Sequence, residues 1–250
     1  MAALHEEVAD LLHSMESVTT HRIGMRDYHQ GLLYGRPCVI VLARVGKVAA
    51  AATAVTLIRE FGVERLFFTG LAGGVADGVR VGDVVVGTAL LQHDLDASPL
   101  FPRHEIPLLN CSHIPTDPHL SQSLEQAARA YLERDWEQDI SPATRDAFKL
   151  SLPRVHVGLI VSGDQFVNSV AAVRALRAEL PDALCVEMEG AAVAQVCHEY
   201  GACFAVIRTV SDRADDSAGH DFSGFLAAVA SHYSAGILRR VLDAPLSSRE

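Results

Sequence analysis

Residues 37–70 read PCVIVLARVGKVAAAATAVTLIREFGVERLFFTG, and three patterns follow one another there without a gap. Pro37 to Arg44 is a β-branched apolar run. Gly46 to Gly62 is a stretch of small residues at helical spacing, closed by a glycine. Glu64 to Gly70 is a second apolar run. Strand, helix, strand in this order is the repeating unit of an α/β domain.

The same alphabet recurs along the chain. DVVVGTALL from Asp83, RVHVGLIVSG from Arg154, ALCVEME from Ala183 and CFAVIRTVS from Cys203 are near-continuous apolar runs, the pattern of strands buried on both faces. Asp117-Pro118 is a cap followed by a first-turn proline, and Asp221 to Leu242 reads as one long amphipathic helix. The expected fold is α/β: a single domain over residues 1–250 with a mixed central β-sheet flanked by helices. The least regular segment, Gln92 to Asp117, carries four of the ten prolines together with Leu100, Phe101 and Ile106, and a loop that apolar is expected to be covered by a neighbour.

Composition narrows the partners. With 250 residues, 49% of them hydrophobic, the chain is long enough for one substantial core. A formal charge of -10 and an isoelectric point near 5.6 argue against nucleic acid or an anionic membrane surface as partner. No apolar run is long enough to span a bilayer, and AALHEEVADLLHSM after Met1 does not suit a signal peptide. Cys38, Cys111, Cys185, Cys197 and Cys203 are scattered, without metal or redox spacing, as reduced thiols in a cytoplasm would be.

Candidate site residues cluster where strands end, the place at which open α/β sheets bind ligands. VEMEGAAVA places Glu187 and Glu189 at one such end; TVSDRADD places Ser211 and Asp212 at another, and the two are neighbours if their strands pair. A carboxyl in apolar surroundings can hold a proton near neutral pH and donate it. FFTGLAGGVADG puts Gly70, Gly73 and Gly74 directly after a buried strand, where backbone can approach a ligand closely, although the spacing is not that of a dinucleotide loop. RVGKVAAA likewise fails as a phosphate loop, because Val48 follows Lys47. SGDQFVNS offers Phe166, able to stack on a flat heterocycle, beside backbone that could read its edge. QHDLD supplies His93, Asp94 and Asp96, possible ligands whose spacing matches no established metal site; no metal and no cofactor is expected.

The order of HEEV, GKVAAA, TGLAGG, VGDVVV, HDLD, GLIVSGDQF, VEMEGAAVAQVC and IRTVSD resembles the 5′-methylthioadenosine/S-adenosylhomocysteine nucleosidases of the nucleoside phosphorylase superfamily, over nearly the whole chain. The resemblance implies a three-layer sandwich and hydrolysis of the N-ribosidic bond of adenine thioribosides in methionine salvage, in the cytoplasm. It implies Asp212 as the general acid toward adenine, with Ser211 beside it in the substrate site, and Glu7 as the group that activates water. Glu189 with Met188 would hold the ribose, Phe166 would stack on adenine and the Val167 backbone would read its edge. Arg208 and the Gly73 region would order ribose and water, and Glu187 would be supporting structure. It also implies a homodimer joined through the proline-rich loop.

Departures from that pattern are local. Only Met1 to Leu4 stand where the family has a full first strand, so the first strand reads as truncated. Leu71 replaces a serine found in many members, and HDLDASPLFPRHEIP differs from the commonest form, which leaves the 5′ group open between methylthio, homocysteinyl and aminofutalosine substrates. A phosphorolytic relative would need cations for phosphate, and Phe68 stands where hexameric phosphorylases carry an arginine. A noncatalytic nucleoside-binding protein of the same fold is the third possibility; the joint presence of Glu7, Glu189 and Asp212 speaks against it.

Overall fold

The computed structural model describes residues 1–214 and 218–243, the side chains of residues 218–221 excepted. Strands β1 (Met15–Ile23), β2 (Arg26–Leu33) and β3 (Arg36–Val41) form a three-stranded antiparallel sheet. A second sheet holds β4 (Arg65–Gly74), β5 (Val84–Gln92), β6 (Ile114–Pro115), β7 (Val155–Ser162), β8 (Ala183–Glu187) and β9 (Cys203–Asp212) in the order β6-β5-β7-β8-β4-β9. Neighbours β5/β7, β7/β8 and β4/β9 run parallel, whereas β4/β8 and β5/β6 run antiparallel. Val84 to Val86 also pair with Thr209 to Ile207, so β5 meets β9 and five strands close into a ring. The mixed sheet expected from the sequence is present.

Helices α1 (Ala9–His13), α2 (Lys47–Phe61), α3 (Pro118–Arg134), α4 (Trp136–Asp139), α5 (Pro142–Ala147), α6 (Val170–Glu179), α7 (Gly190–Tyr200), α8 (Ala218–Ala228) and α9 (Ala230–Asp243) cover it. Alternation along β5 assigns the two faces: Val84 and Val86 pack into the core built with α3 and α9, while Val85 packs into the core built with α2 and α7. This two-sided burial is why the strands read as continuous apolar runs, and it makes the sandwich three-layered. Helix α3 begins as the sequence suggests, Asp117 accepting the Leu120 N–H at 2.9 Å ahead of Pro118.

Three expectations need correction. The stretch from Asp221 to Leu242 is two helices, not one; the turn opens at Val229, whose side chain is buried, and no glycine or proline marks the place. The glycines of TGLAGG do not follow a strand but lie inside β4, which continues to Gly74. The β1–β2 hairpin was not expected at all, because β1 is exposed along most of its length and carries no alternating apolar face.

The beginning of the chain ties the two sheets together. The Met1 amine donates to Phe67 O at 3.0 Å and Thr69 N–H donates to Met1 O at 3.1 Å; on the other side Ala2 N–H donates to Val41 O and Ala43 N–H to Ala2 O at 2.7 Å. A groove of 570 Å³ runs on from Met1 between β3 and β4, lined by Leu33, Val39, Ile40, Leu66 and Phe67 among others.

Candidate active site

A cavity of 390 Å³ opens where β4, β8 and β9 end, and its wall includes Glu7, Gly73, Phe166, Val167, Met188, Glu189 and Asp212. Seven of the nine residues that the resemblance assigns to the site therefore meet in one place. Arg208 and Ser211 stand behind the wall, both buried. The strands carrying the two carboxylate ends do not pair, contrary to the expectation that they could; β4 runs between them, with Gly73 paired to Val186 of β8 and to Asp212 of β9.

Glu7 comes from a 3-10 turn, His5–Glu7, directly after the short N-terminal ladder. Its Oε2 accepts the N–H groups of Ala3 and Leu4, both at 2.9 Å, and Oε1 accepts the Leu71 N–H at 3.0 Å. The side chain at position 71 is thus immaterial to this contact; its backbone makes the bond. Burial pushes the Glu7 carboxyl above the ordinary carboxylate range, against the pull of the Arg208 guanidinium and of these three amides. A carboxylate held in place yet made more basic is suited to taking a proton from water. The approach requires Gly70: a Cβ there would lie 2.6 Å from Glu7 Oε1 and 2.8 Å from an Arg208 nitrogen.

Asp212, 2% exposed at the end of β9, accepts the Ser211 hydroxyl on Oδ2 and the Ala214 N–H on Oδ1, each at 2.7 Å. These bonds fix the plane of the carboxyl toward the cavity. Gly73 makes room for it, since a Cβ at that position would stand 3.0 Å from Asp212 Oδ1 and 2.8 Å from Ala214 Cβ.

The two glutamates of VEMEG divide their work. Glu187 is consumed by the protein: it accepts the Ser162 hydroxyl, the N–H groups of Glu189 at 3.1 Å and Gly190 at 2.8 Å, and a charge-assisted bond from Arg208. Arg208 in turn lies over the Phe68 ring with its guanidinium carbon 4.1 Å from the ring centre. Among the described residues Glu189 accepts only the Gly46 N–H, at 2.9 Å, and burial with the nearby Glu187 charge raises its pKa to about 8. It is the carboxyl with capacity left for a ligand hydroxyl.

Phe166 is 45% exposed and meets Phe222 of α8 edge-on, ring centres 5.9 Å apart. A half-exposed aromatic at a cavity mouth can receive a flat heterocycle. Val45, Leu4 and Phe222 also line the cavity and were not found from the sequence; Phe222 lies in a helical stretch, and nothing in its spacing sets it apart from a core residue. No group of three or more potential metal ligands occurs among the described residues. Asp94, one of the suspected ligands, is instead ion-paired with Lys47.

Known proteins resemble the chain in sequence and fold. The phosphorylase superfamily profile matches residues 1–243. The 5′-methylthioadenosine/S-adenosylhomocysteine nucleosidase of Actinobacillus succinogenes is 33% identical over 90% of this chain and 90% of its own. The aminodeoxyfutalosine nucleosidase of Helicobacter pylori is 33% identical over 97% and 96%. The crystal structure of the Neisseria meningitidis 5′-methylthioadenosine/S-adenosylhomocysteine nucleosidase with methylthio-immucillin-A superposes with a TM-score of 0.84 at 34% identity, covering 96% of both chains. With a buried carboxylate set inside the same fold, and similarity running nearly end to end, the chain belongs to the 5′-methylthioadenosine/S-adenosylhomocysteine nucleosidase family of the phosphorylase superfamily.

Proposed function

We propose that the protein hydrolyses the N-ribosidic bond of 5′-methylthioadenosine and S-adenosylhomocysteine, releasing adenine and a 5-thio-substituted ribose. The observation that carries the reading is the chemistry of the wall: four carboxyl groups, Glu7, Glu187, Glu189 and Asp212, line the cavity, Glu187 being taken up by Arg208 and backbone amides, and no lysine, arginine or histidine lines it among the described residues. Phosphate would need cations or a nest of amides. Water needs a base, and Glu7 is one.

Cleavage of an N-riboside passes through an oxocarbenium-like sugar, so the site must help the base leave and deliver water to the sugar. In this reading Asp212 protonates adenine, its plane set by Ser211 and the Ala214 N–H. Adenine stacks on Phe166 and its edge meets the Val167 backbone. Glu189 accepts the ribose hydroxyls, which become more acidic as positive charge grows, a stabilisation stronger in the transition state than in the ground state; Met188 packs beneath the sugar. Glu7, held by the three backbone amides, takes the proton of the attacking water. Arg208 acts from behind: it neutralises Glu187 and draws on Glu7 without entering the cavity.

We extend the proposal to a place in methionine salvage, to the cytoplasm and to a homodimer. Five free cysteines and the lack of any membrane-spanning helix among the described residues support the compartment. Leu100 and Leu108, each more than 80% exposed on the proline-rich loop, support the dimer. The similarity to an aminodeoxyfutalosine nucleosidase makes that compound the second substrate to try.

The test is adenine release from methylthioadenosine by the purified protein, with and without phosphate, and the mass of the sugar product. Free methylthioribose at a rate independent of phosphate is expected. A sugar phosphate would replace the hydrolase with a phosphorylase, and release from aminodeoxyfutalosine alone would reassign the 5′ group.

A further inference from the structure

Apart from the Gly46 amide, two sequence motifs have no part in the chemistry so far, GKVAAA and HDLD, and the fold brings them together. Lys47 Nζ donates to Asp94 Oδ1 at 2.6 Å and to Gln92 Oε1 at 3.1 Å. Asp94 Oδ2 accepts the Asp164 N–H at 2.8 Å, and Asp164 Oδ1 accepts the Lys47 N–H at 2.8 Å. Three loops, those following β3, β5 and β7, are thereby joined in a closed ring of bonds. Neither side chain of the Lys47–Asp94 pair is more than 19% exposed.

The placement of Lys47 calls for an account. It opens α2, where a cation opposes the helix dipole, and the first turn has neither an acidic residue nor a side-chain cap of its own. Asp164 supplies both from another loop. Immediately before Lys47 stands Gly46, whose N–H is the bond donated to Glu189. Its backbone lies at φ +100°, and a Cβ there would come within 3.2 Å of Asp164 Oδ1, so the residue is a glycine for a reason of geometry and space.

We infer that Lys47, Asp94 and Asp164 are positioning residues that clip the β3–α2 loop to the site so that the Gly46 amide orients the Glu189 carboxylate toward the ribose. This assignment rests on the role proposed for Glu189. The groups that act on Glu189 are few: Glu187 from β8 and Glu7 from the N-terminal turn favour its neutral form, while Arg208 from β9 and the Gly46 amide favour its charge. Around the clip itself, His93 and His104 are the remaining titratable neighbours. Releasing the clip removes one of the two influences that favour the charged form of Glu189, so its pKa rises further.

Lys47→Met and Asp94→Asn test the idea. At a pH below the wild-type Glu189 value both variants should show kcat/KM lowered about tenfold, the loss of one hydrogen bond to a charged group. The deficit should shrink toward nothing as pH is raised past the shifted value, because Glu189 then ionises without help. Lys47→Arg should recover most of the loss, and Arg129→Gln, which breaks an exposed pair on α3, should change nothing. A loss of the same factor at every pH, or no loss, would overturn the proposal. Hydrogen exchange at the Gly46 amide gives a readout free of turnover: it should quicken in Lys47→Met with the global Tm kept. Faster exchange in a protein whose wild type releases no adenine would fault the proposed reaction and leave the clip standing; unchanged exchange with full nucleosidase activity would do the reverse.

Discussion

Asp212 and Glu7 are both buried carboxyls, yet their surroundings differ in kind. Asp212 is held by a hydroxyl and an amide at the end of a central strand, Glu7 by three amides beside a guanidinium it does not bond. Replacing Asp212 with Asn should lower kcat by about two to four powers of ten, the usual contribution of a general acid, while isothermal titration still detects substrate binding. Glu7 must be ionised to act, and burial raises its pKa; activity should therefore fall on the acid side at a pH above the ordinary glutamate range, and a kcat/KM profile flat down to about pH 4 would contradict the assignment. Glu189 gives a stability prediction with a definite sign. Its folded-state pKa of about 8 exceeds the ordinary 4.5, so the native state binds the proton more tightly and this stabilisation is lost as pH rises from the lower value through the upper. Thermal denaturation of Glu189→Gln against wild type should shift in favour of the variant across that window. A difference in Tm independent of pH would mean that Glu189 is not perturbed in the folded protein.

Among the elements, β4 does the most with the least. It carries Gly70 under Glu7, the Leu71 amide on Glu7, and Gly73 beside Asp212, all in one strand paired on both sides. Gly73→Ala should cost about 1–3 kcal/mol by overpacking and should lower kcat more than it raises KM, since the added methyl crowds Ala214, whose N–H holds Asp212, and Asp212 itself; equal activity with wild type would remove the glycine from the site. Arg208→Met, by contrast, strands the Glu187 charge in the core, and a loss of about 3–5 kcal/mol in a denaturant titration is expected. How much of this was legible follows from burial. Strands β4, β5, β7, β8 and β9 are sealed on both faces and announce themselves as apolar runs; position alone made Glu187, Glu189 and Asp212 candidates at strand ends, and only the family resemblance chose Glu189 and Asp212 among them. Strand β1, exposed along most of its length, had no such signal. The three amides on Glu7 had none either, because a backbone bond between positions 7 and 71 leaves no mark on side-chain identity. Lys47 and Asp94 could be seen but not joined: 47 residues separate them, and each alone matched a motif it did not fulfil.

At the scale of the whole molecule, the ring of strands has helices on both faces and its ligand cavity at one end, while the proline-rich loop from β5 to β6 lies outside the ring with Leu100 and Leu108 bare. If the dimer forms there, Leu108→Glu should convert it to monomer in sedimentation equilibrium at micromolar concentration without lowering Tm of the subunit; a wild type that is already monomeric would dispose of the dimer. The opposite side of the molecule has its own constraint. Met1 is laddered between β3 and β4, its amine buried and its pKa drawn down to about 6 by that burial, and Glu7 hangs from the turn that follows. Whatever is joined ahead of Met1 has to leave through the cleft between those strands, so an affinity tag attached at this end pulls on the carboxylate proposed to activate water before it disturbs any core, and would register as lost turnover in a protein that still melts normally.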